Sequence, residues 1–64
     1  MSIRVIKSAK VTVAGFEFLV QFARNYRGIA YGWVSQDGYV TENYPAKVAQ
    51  YIKTEEVKLN EGRK

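Results

Sequence analysis

The run Phe16-Glu17-Phe18-Leu19-Val20-Gln21-Phe22 sets a large apolar side chain at every even position. Strands send successive side chains to opposite faces, so a period of two sustained over this run specifies a strand with one buried face. A helix would scatter the same residues around its circumference. This segment therefore has to become a strand, and its neighbours have to supply the core its phenylalanines need.

The flanks carry the same β signature. Residues 3–13 are rich in β-branched side chains, and Lys10-Val11-Thr12-Val13 alternates polar with apolar. Ala14-Gly15 offers a short turn, and Asn25-Tyr26-Arg27-Gly28 a second break. Residues 29–35 read as a third strand. Asp37-Gly38 is the strongest hairpin signal, because a type I′ turn needs positive φ at both central positions. Residues 39–43 form a shorter fourth strand. The regime changes at Pro45, a residue suited to the first helical position. Beyond it Val48, Tyr51 and Ile52 fall on one side of a helix, with Lys47 and Lys53 away from that stripe.

The expected fold class is α+β, a single domain over residues 1–64. Residues 3–43 form a four-stranded antiparallel meander, packed by one C-terminal helix over about residues 45–54. Residues 54–59 suit either a longer helix or a fifth strand through Val57 and Leu59, and residues 60–64 read as a frayed tail. The alternative is a strongly twisted sheet rolled into a small SH3-like barrel. Size and charge compare with small basic archaeal chromatin proteins of that shape. No motif here matches theirs, so the comparison is one of shape alone.

Hairpin symmetry turns these strands into faces. The first turn sets Val13 opposite Phe16 and Val11 opposite Phe18. Continuing that ladder sets Lys7 opposite Phe22 and Val5 opposite Arg24. A symmetric closure of residues 25–28 sets Phe22 opposite Tyr31 and Val20 opposite Trp33, and the Asp37-Gly38 turn sets Val34 opposite Thr41. The expected core face is Val11, Val13, Phe16, Phe18, Val20, Phe22, Tyr31, Trp33 and Val40, with the helix as its lid. The outer face then carries Lys10, Thr12, Glu17, Leu19, Gln21, Ala23, Ala30, Gly32, Val34, Tyr39 and Thr41.

Sixty-four residues bury only about 60% of their unfolded surface, and this chain has neither Cys nor His. Disulfides and the usual zinc sites are therefore excluded as staples, and no metal or cofactor is expected. Stability has to come from the nine aromatic residues, or from dimerisation. No apolar stretch approaches the ~20 residues of a membrane span. Arg4, Lys7 and Lys10 interrupt the apolar run a signal peptide would need. A soluble cytoplasmic protein that does not enter membranes is the expectation.

Catalysis is not expected either. With no histidine base, Ser2, Ser8 and Ser35 read as ordinary hydroxyls. Glu55 and Glu56 are adjacent and point apart, so they read as a solvated face and not as a carboxylate pair. Asp37 belongs to its turn, and the five glycines are too dispersed for a phosphate loop.

Charge carries the functional reading. Residues 1–30 hold Arg4, Lys7, Lys10, Arg24 and Arg27 against Glu17, so 5 − 1 = +4, while the remainder balances to zero. A nucleic-acid site is expected in a basic stripe of Arg4, Lys7, Lys10, Arg24 and Arg27, of which the hairpins gather Arg4, Lys7, Arg24 and Arg27 near one end of the sheet. Tyr26, between two arginines, would stack on a base. Tyr31 and Trp33, assigned to the core, are not counted in that site. The alternative is a small accessory or inhibitory protein, of the kind encoded by viruses and mobile elements, that binds a protein partner or itself. Its surface would be the outer-face residues Leu19, Ala23, Ala30, Gly32, Val34 and Tyr39.

Overall fold

A computed structural model describes residues 3–61. Strands β1 (Val5–Val13), β2 (Phe16–Arg24), β3 (Ala30–Gln36) and β4 (Tyr39–Thr41) form one antiparallel meander in the order β1-β2-β3-β4, followed by helix α1 (Ala46–Asn60). The fold is α+β as expected. The sheet stays open, with β1 and β4 at opposite edges, so it is not a barrel. The undecided segment 54–59 is helical, and no fifth strand occurs among the described residues. Asn60 belongs to the helix, not to a tail, and residues 62–64 lie outside the described residues.

Turn chemistry sets the registers. Ala14 and Gly15 both take positive φ, as do Asp37 and Gly38, the requirement of two-residue hairpins. Val13 accordingly pairs with Phe16, and Gln36 with Tyr39. The middle hairpin departs from symmetry. Asn25 and Ile29 close it through Asn25 N–H donating to the Ile29 carbonyl at 3.0 Å, leaving a three-residue loop with Gly28 at φ +79°. Asn25 Oδ1 accepts from the amides of Arg27 (2.8 Å) and Ile29 (3.1 Å), bracing the turn from inside.

That one-residue difference flips β3. Phe22 pairs with Gly32 and not Tyr31, and Val20 with Val34 and not Trp33. Because the side-chain period is two, a single step exchanges faces. Tyr31, Trp33 and Val40 therefore leave the expected core face for the opposite one. Ala30, Gly32 and Val34 leave the expected outer face for the side under the helix, where Ala30 and Val34 are buried. Tyr39 and Thr41 share the helix side by register, although Tyr39 is exposed.

A second irregularity sits in β1. Val5 pairs with Ala23 and Lys7 with Phe22, so Ile6 is a bulge and Val5 does not reach Arg24. The bulge turns Val5 to the uncovered face while leaving Lys7 on the helix side.

The core lies between the sheet and α1. Phe18, Val20, Phe22, Val34, Val48 and Ile52 form its buried cluster, with Val11, Val13, Tyr51 and Leu59 packed around it. The helix runs over β3 and β1. Gly32 is what lets it come close. A Cβ there would meet the Phe22 ring at 2.6 Å and Ile52 Cγ2 at 3.2 Å.

Pro45 is the helix N-cap and not its first helical residue. With no N–H of its own to satisfy, it contributes its carbonyl, which accepts from Val48 (3.0 Å) and Ala49 (3.2 Å).

The polar residues of α1 complete the sheet. β4 pairs only with Val34, Ser35 and Gln36, so the first half of β3 has no strand on that side. Glu56 Oε2 accepts from the Gly32 amide at 2.8 Å. Asn60 accepts from the Ala30 amide (2.8 Å) and donates to the Ala30 carbonyl (3.1 Å). Four helical residues rise about 6 Å, close to the ~6.6 Å of two strand residues, so an i,i+4 pair on the helix matches an i,i+2 pair on the strand. The helix thus replaces the missing strand, and these buried backbone groups keep partners.

Glu55 stands in the apolar stripe of α1, only 7% exposed. Its Oε1 accepts a charge-assisted hydrogen bond from Lys7 Nζ, and Lys58 Nζ lies 3.7 Å from Oε2. Glu55 and Glu56 are therefore not a solvated face. The Lys7 hydrogen bond holds the Glu55 carboxyl below its usual range, and the same bond raises Lys7.

Glu55, depressed in the folded state, contributes stability that is present above the unfolded carboxylate value and lost as pH falls through the lower folded one. Lys7, raised, contributes stability that is present below the unfolded ammonium value and lost as pH rises through the higher folded one. Melting temperature should plateau between about pH 5 and 10 and fall on both sides. Glu55→Gln should lower the plateau and flatten the acid limb. A Glu55→Gln profile parallel to that of the parent protein would remove this pair from the pH response.

Candidate nucleic-acid interface

One face of the sheet is covered by α1, and no other element among the described residues covers the opposite face. By register the uncovered face displays Val5, Ser8, Lys10 and Thr12 from β1, then Glu17, Leu19, Gln21 and Ala23 from β2. Tyr31, Trp33 and Ser35 follow from β3, and Val40 from β4. Its polarity is graded along the strands. At the end near the Asn25–Ile29 turn, Val5, Ala23 and Tyr31 pair in a row, and Ala23 between them is fully buried. At the other end lie Thr12, Glu17 and the Asp37 turn.

Tyr31 and Trp33, two residues apart on β3, stand side by side on this face. Their ring centroids are 5.8 Å apart and their planes inclined at 37°. Both are half-buried. Flanked by Gln21 and Ala23 on β2, the rings keep part of their surface toward solvent. Sequence reasoning missed this pair because it closed the preceding loop one residue too long. The signal was present: Asn followed three residues later by Gly is the chemistry of a three-residue hairpin with a left-handed third position.

The six residues assigned to nucleic acid from the sequence separate into three groups. Lys7 faces the helix and is bonded to Glu55. Arg24 spans the loop and the end of α1, its guanidinium donating to the carbonyls of Gly28 (2.9 Å) and Leu59 (3.0 Å). It serves as a cap for the last helical turn, where a cation also suits the helix dipole. Lys7 and Arg24 thus hold the helix to the sheet.

The remaining four stand outward. Lys10 lies on the uncovered face opposite Leu19. Arg4 is exposed immediately before β1, at the end of the sheet where Val5, Ala23 and Tyr31 align. Tyr26 is 91% exposed at the loop tip. The Arg27 guanidinium sits 5.5 Å from the Tyr26 ring centroid, and its Nε donates to the Tyr26 hydroxyl at 3.2 Å. Arg4 enters no salt bridge with an acid among the described residues. The six do not make one patch, since Lys7 and Lys10 occupy opposite faces of β1.

An open cavity of about 570 Å³ lies further along the same face, between the two tight turns. Lys10, Glu17, Leu19, Gln21, Ser35 and Asp37 are among its lining residues. One cation there meets two acids, so the balance at this end of the face is acidic. The exposed arginines Arg4 and Arg27 lie at the aromatic end of the sheet.

Of the residues assigned to a protein-binding surface, Leu19 and Ala23 lie on the uncovered face, Ala23 without exposed area. Ala30, Gly32 and Val34 lie under the helix, and Tyr39 is exposed at the β4 edge on the helix side.

Among the described residues no helix is long and apolar enough to cross a membrane. No protein-family model, no curated protein and no solved structure matches the chain.

Proposed function

We propose that this protein is a non-catalytic module that binds nucleic acid on the uncovered face of its sheet, at the end where Tyr31 and Trp33 adjoin Arg4 and the Tyr26–Arg27 loop. The juxtaposition of a partly solvent-facing aromatic pair with the exposed Arg4 and the exposed Tyr26–Arg27 loop carries this reading. Rings offer stacking surface to bases, and arginines offer charge-assisted contacts to phosphates. The formal charge of +4 favours a polyanion over other partners. The site differs from the sequence-based expectation by losing Lys7 and Arg24 to structural duty and gaining Tyr31 and Trp33.

Titration against a mixed-sequence oligonucleotide between about 50 and 200 mM salt tests this. Affinity should fall steeply with salt, and Arg4→Ala with Arg27→Ala should flatten the log–log slope by about 1.4 for a single strand, 0.7 per lost phosphate contact. Absence of binding at the lower salt would end the proposal.

A second reading has one observation in its favour. Val5 and Val40 on the uncovered face are exposed, and Tyr31 and Trp33 beside them are only half-buried, so this face carries apolar surface. Self-association through the uncovered face would bury it. Size-exclusion chromatography across a concentration series separates the two readings.

A further inference from the structure

Within the nucleic-acid reading, on which this inference rests, we infer that the ligand is single-stranded, held with at least two bases splayed onto Tyr31 and Trp33. Three observations converge on an unpaired strand. The first is spacing. Successive bases in a duplex strand are stacked 3.4 Å apart, whereas the two ring centroids are 5.8 Å apart. Bases resting on both rings have to be separated from each other, and a duplex does not allow that without unpairing. Splayed bases stacked on aromatic side chains are the usual mode for single strands, including on open sheets of this strand number.

The second is width. The rings lie in the middle of a face, not on a projecting element. At the level of Tyr31 and Trp33 the strands β1, β2 and β3 lie side by side, and at 4.7–4.9 Å each they occupy about 14 Å. The major groove is about 12 Å wide and the minor about 6 Å. A groove admits a helix or a two-stranded ribbon, and three adjacent strands carry the rings out of reach of base edges inside it. A groove entered by the helix would not bring base edges to the rings either, because α1 covers the opposite face of the sheet.

The third is the arrangement of charge. Arg4 and the exposed Tyr26–Arg27 loop lie at one end of the ring pair, and Lys10 lies toward the other, on the same side of the sheet as the rings. A backbone crossing the face from the Asn25–Ile29 turn toward Lys10 would meet a cation before the rings and another after them. The acids Glu17 and Asp37 set the limit of that track, since a strand continuing past Lys10 would run into like charge. The footprint is therefore short, a few nucleotides.

The experiment compares a single strand of about twelve nucleotides with the duplex of the same sequence, at one salt concentration, for the parent protein and for Tyr31→Leu/Trp33→Leu. Leucine keeps apolar cover on the sheet and removes the stacking surface; circular dichroism establishes that the variant folds. The parent should prefer the single strand by about tenfold or more, and the variant should lose that preference by weakening on the single strand alone. A duplex bound as tightly as the single strand, with salt dependence intact, would overturn the inference and leave nucleic-acid binding standing. Binding of neither form would remove both. A parent protein that is dimeric at the concentrations used, with the variant monomeric, would assign the face to a second copy and overturn the inference as well.

Discussion

Phe22→Ala is expected to cost about 3–5 kcal/mol, the range for truncating a fully buried aromatic. A domain of this length has on the order of 3–10 kcal/mol in total at 0.05–0.15 kcal/mol per residue, so the variant should be largely unfolded at 37 °C. Phe22 has no exposed surface and lies at the centre of a six-residue buried cluster. Its ring rests on the bare Cα of Gly32 and meets Tyr51 edge-on at 6.3 Å. The void left by alanine has few neighbours able to close it, since α1 is held in place by Lys7–Glu55, by Arg24 and by Asn60.

The complementary change enters the same contact from the other side. Gly32→Ala forces a methyl to within 2.6 Å of the Phe22 ring, an overpacking that costs about 1–3 kcal/mol. The two positions should couple. In a Phe22→Leu background, where the ring edge is gone, Gly32→Ala should cost less than in the parent. Urea denaturation followed by circular dichroism measures all of these. Additive costs, or a Gly32→Ala variant as stable as the parent, would mean that β3 does not present Gly32 to Phe22 and that its register is wrong.

Tyr31→Leu/Trp33→Leu is expected to have the second large effect, on binding. Stacking is worth about 1–3 kcal/mol per base, so loss of two rings should weaken a single-stranded ligand by about 30-fold or more. Stability should change little by comparison, because both side chains are half-buried on the uncovered face and leucine retains apolar bulk there. Arg4→Ala with Arg27→Ala should act differently, lowering affinity chiefly at low salt and leaving the preference for single strands in place. The separation of these two signatures distinguishes base stacking from phosphate contact.

Much of the fold could be read in the residues, and the reason is local. The Phe16–Phe22 alternation, the Ala14-Gly15 and Asp37-Gly38 turns and the change at Pro45 are each decided within a few residues, and each stands where the sequence puts it. The failures came from information that is local but subtle, or not local at all. The Asn25–Ile29 turn differs from the symmetric closure by one residue, and through the period of two that single step moved Tyr31 and Trp33 from core to surface. The Ile6 bulge had no visible signal, and it turned Val5 over.

The candidate site was harder for a physical reason. A cation's role depends on what the rest of the chain brings to it. Nothing near Lys7 in sequence indicates Glu55, 48 residues away, and nothing near Arg24 indicates the Leu59 carbonyl. Glu55 itself gave a usable hint. A charged residue at i+3 from Ile52, in line with Val48 and Leu59, is a buried position in need of a partner. Read that way, one basic residue of the leading half is claimed by the fold before any ligand is considered.

Trp33 is the only tryptophan in the chain, and its fluorescence reports on the proposed site without a label. The decisive measurement is acrylamide quenching of Trp33 with and without a saturating short single-stranded oligonucleotide. If bases cover the uncovered face of the sheet, binding should shift or quench the emission and protect the indole from acrylamide. Binding that leaves both the emission and the quenching constant unchanged would put the ligand elsewhere on the molecule and contradict the account.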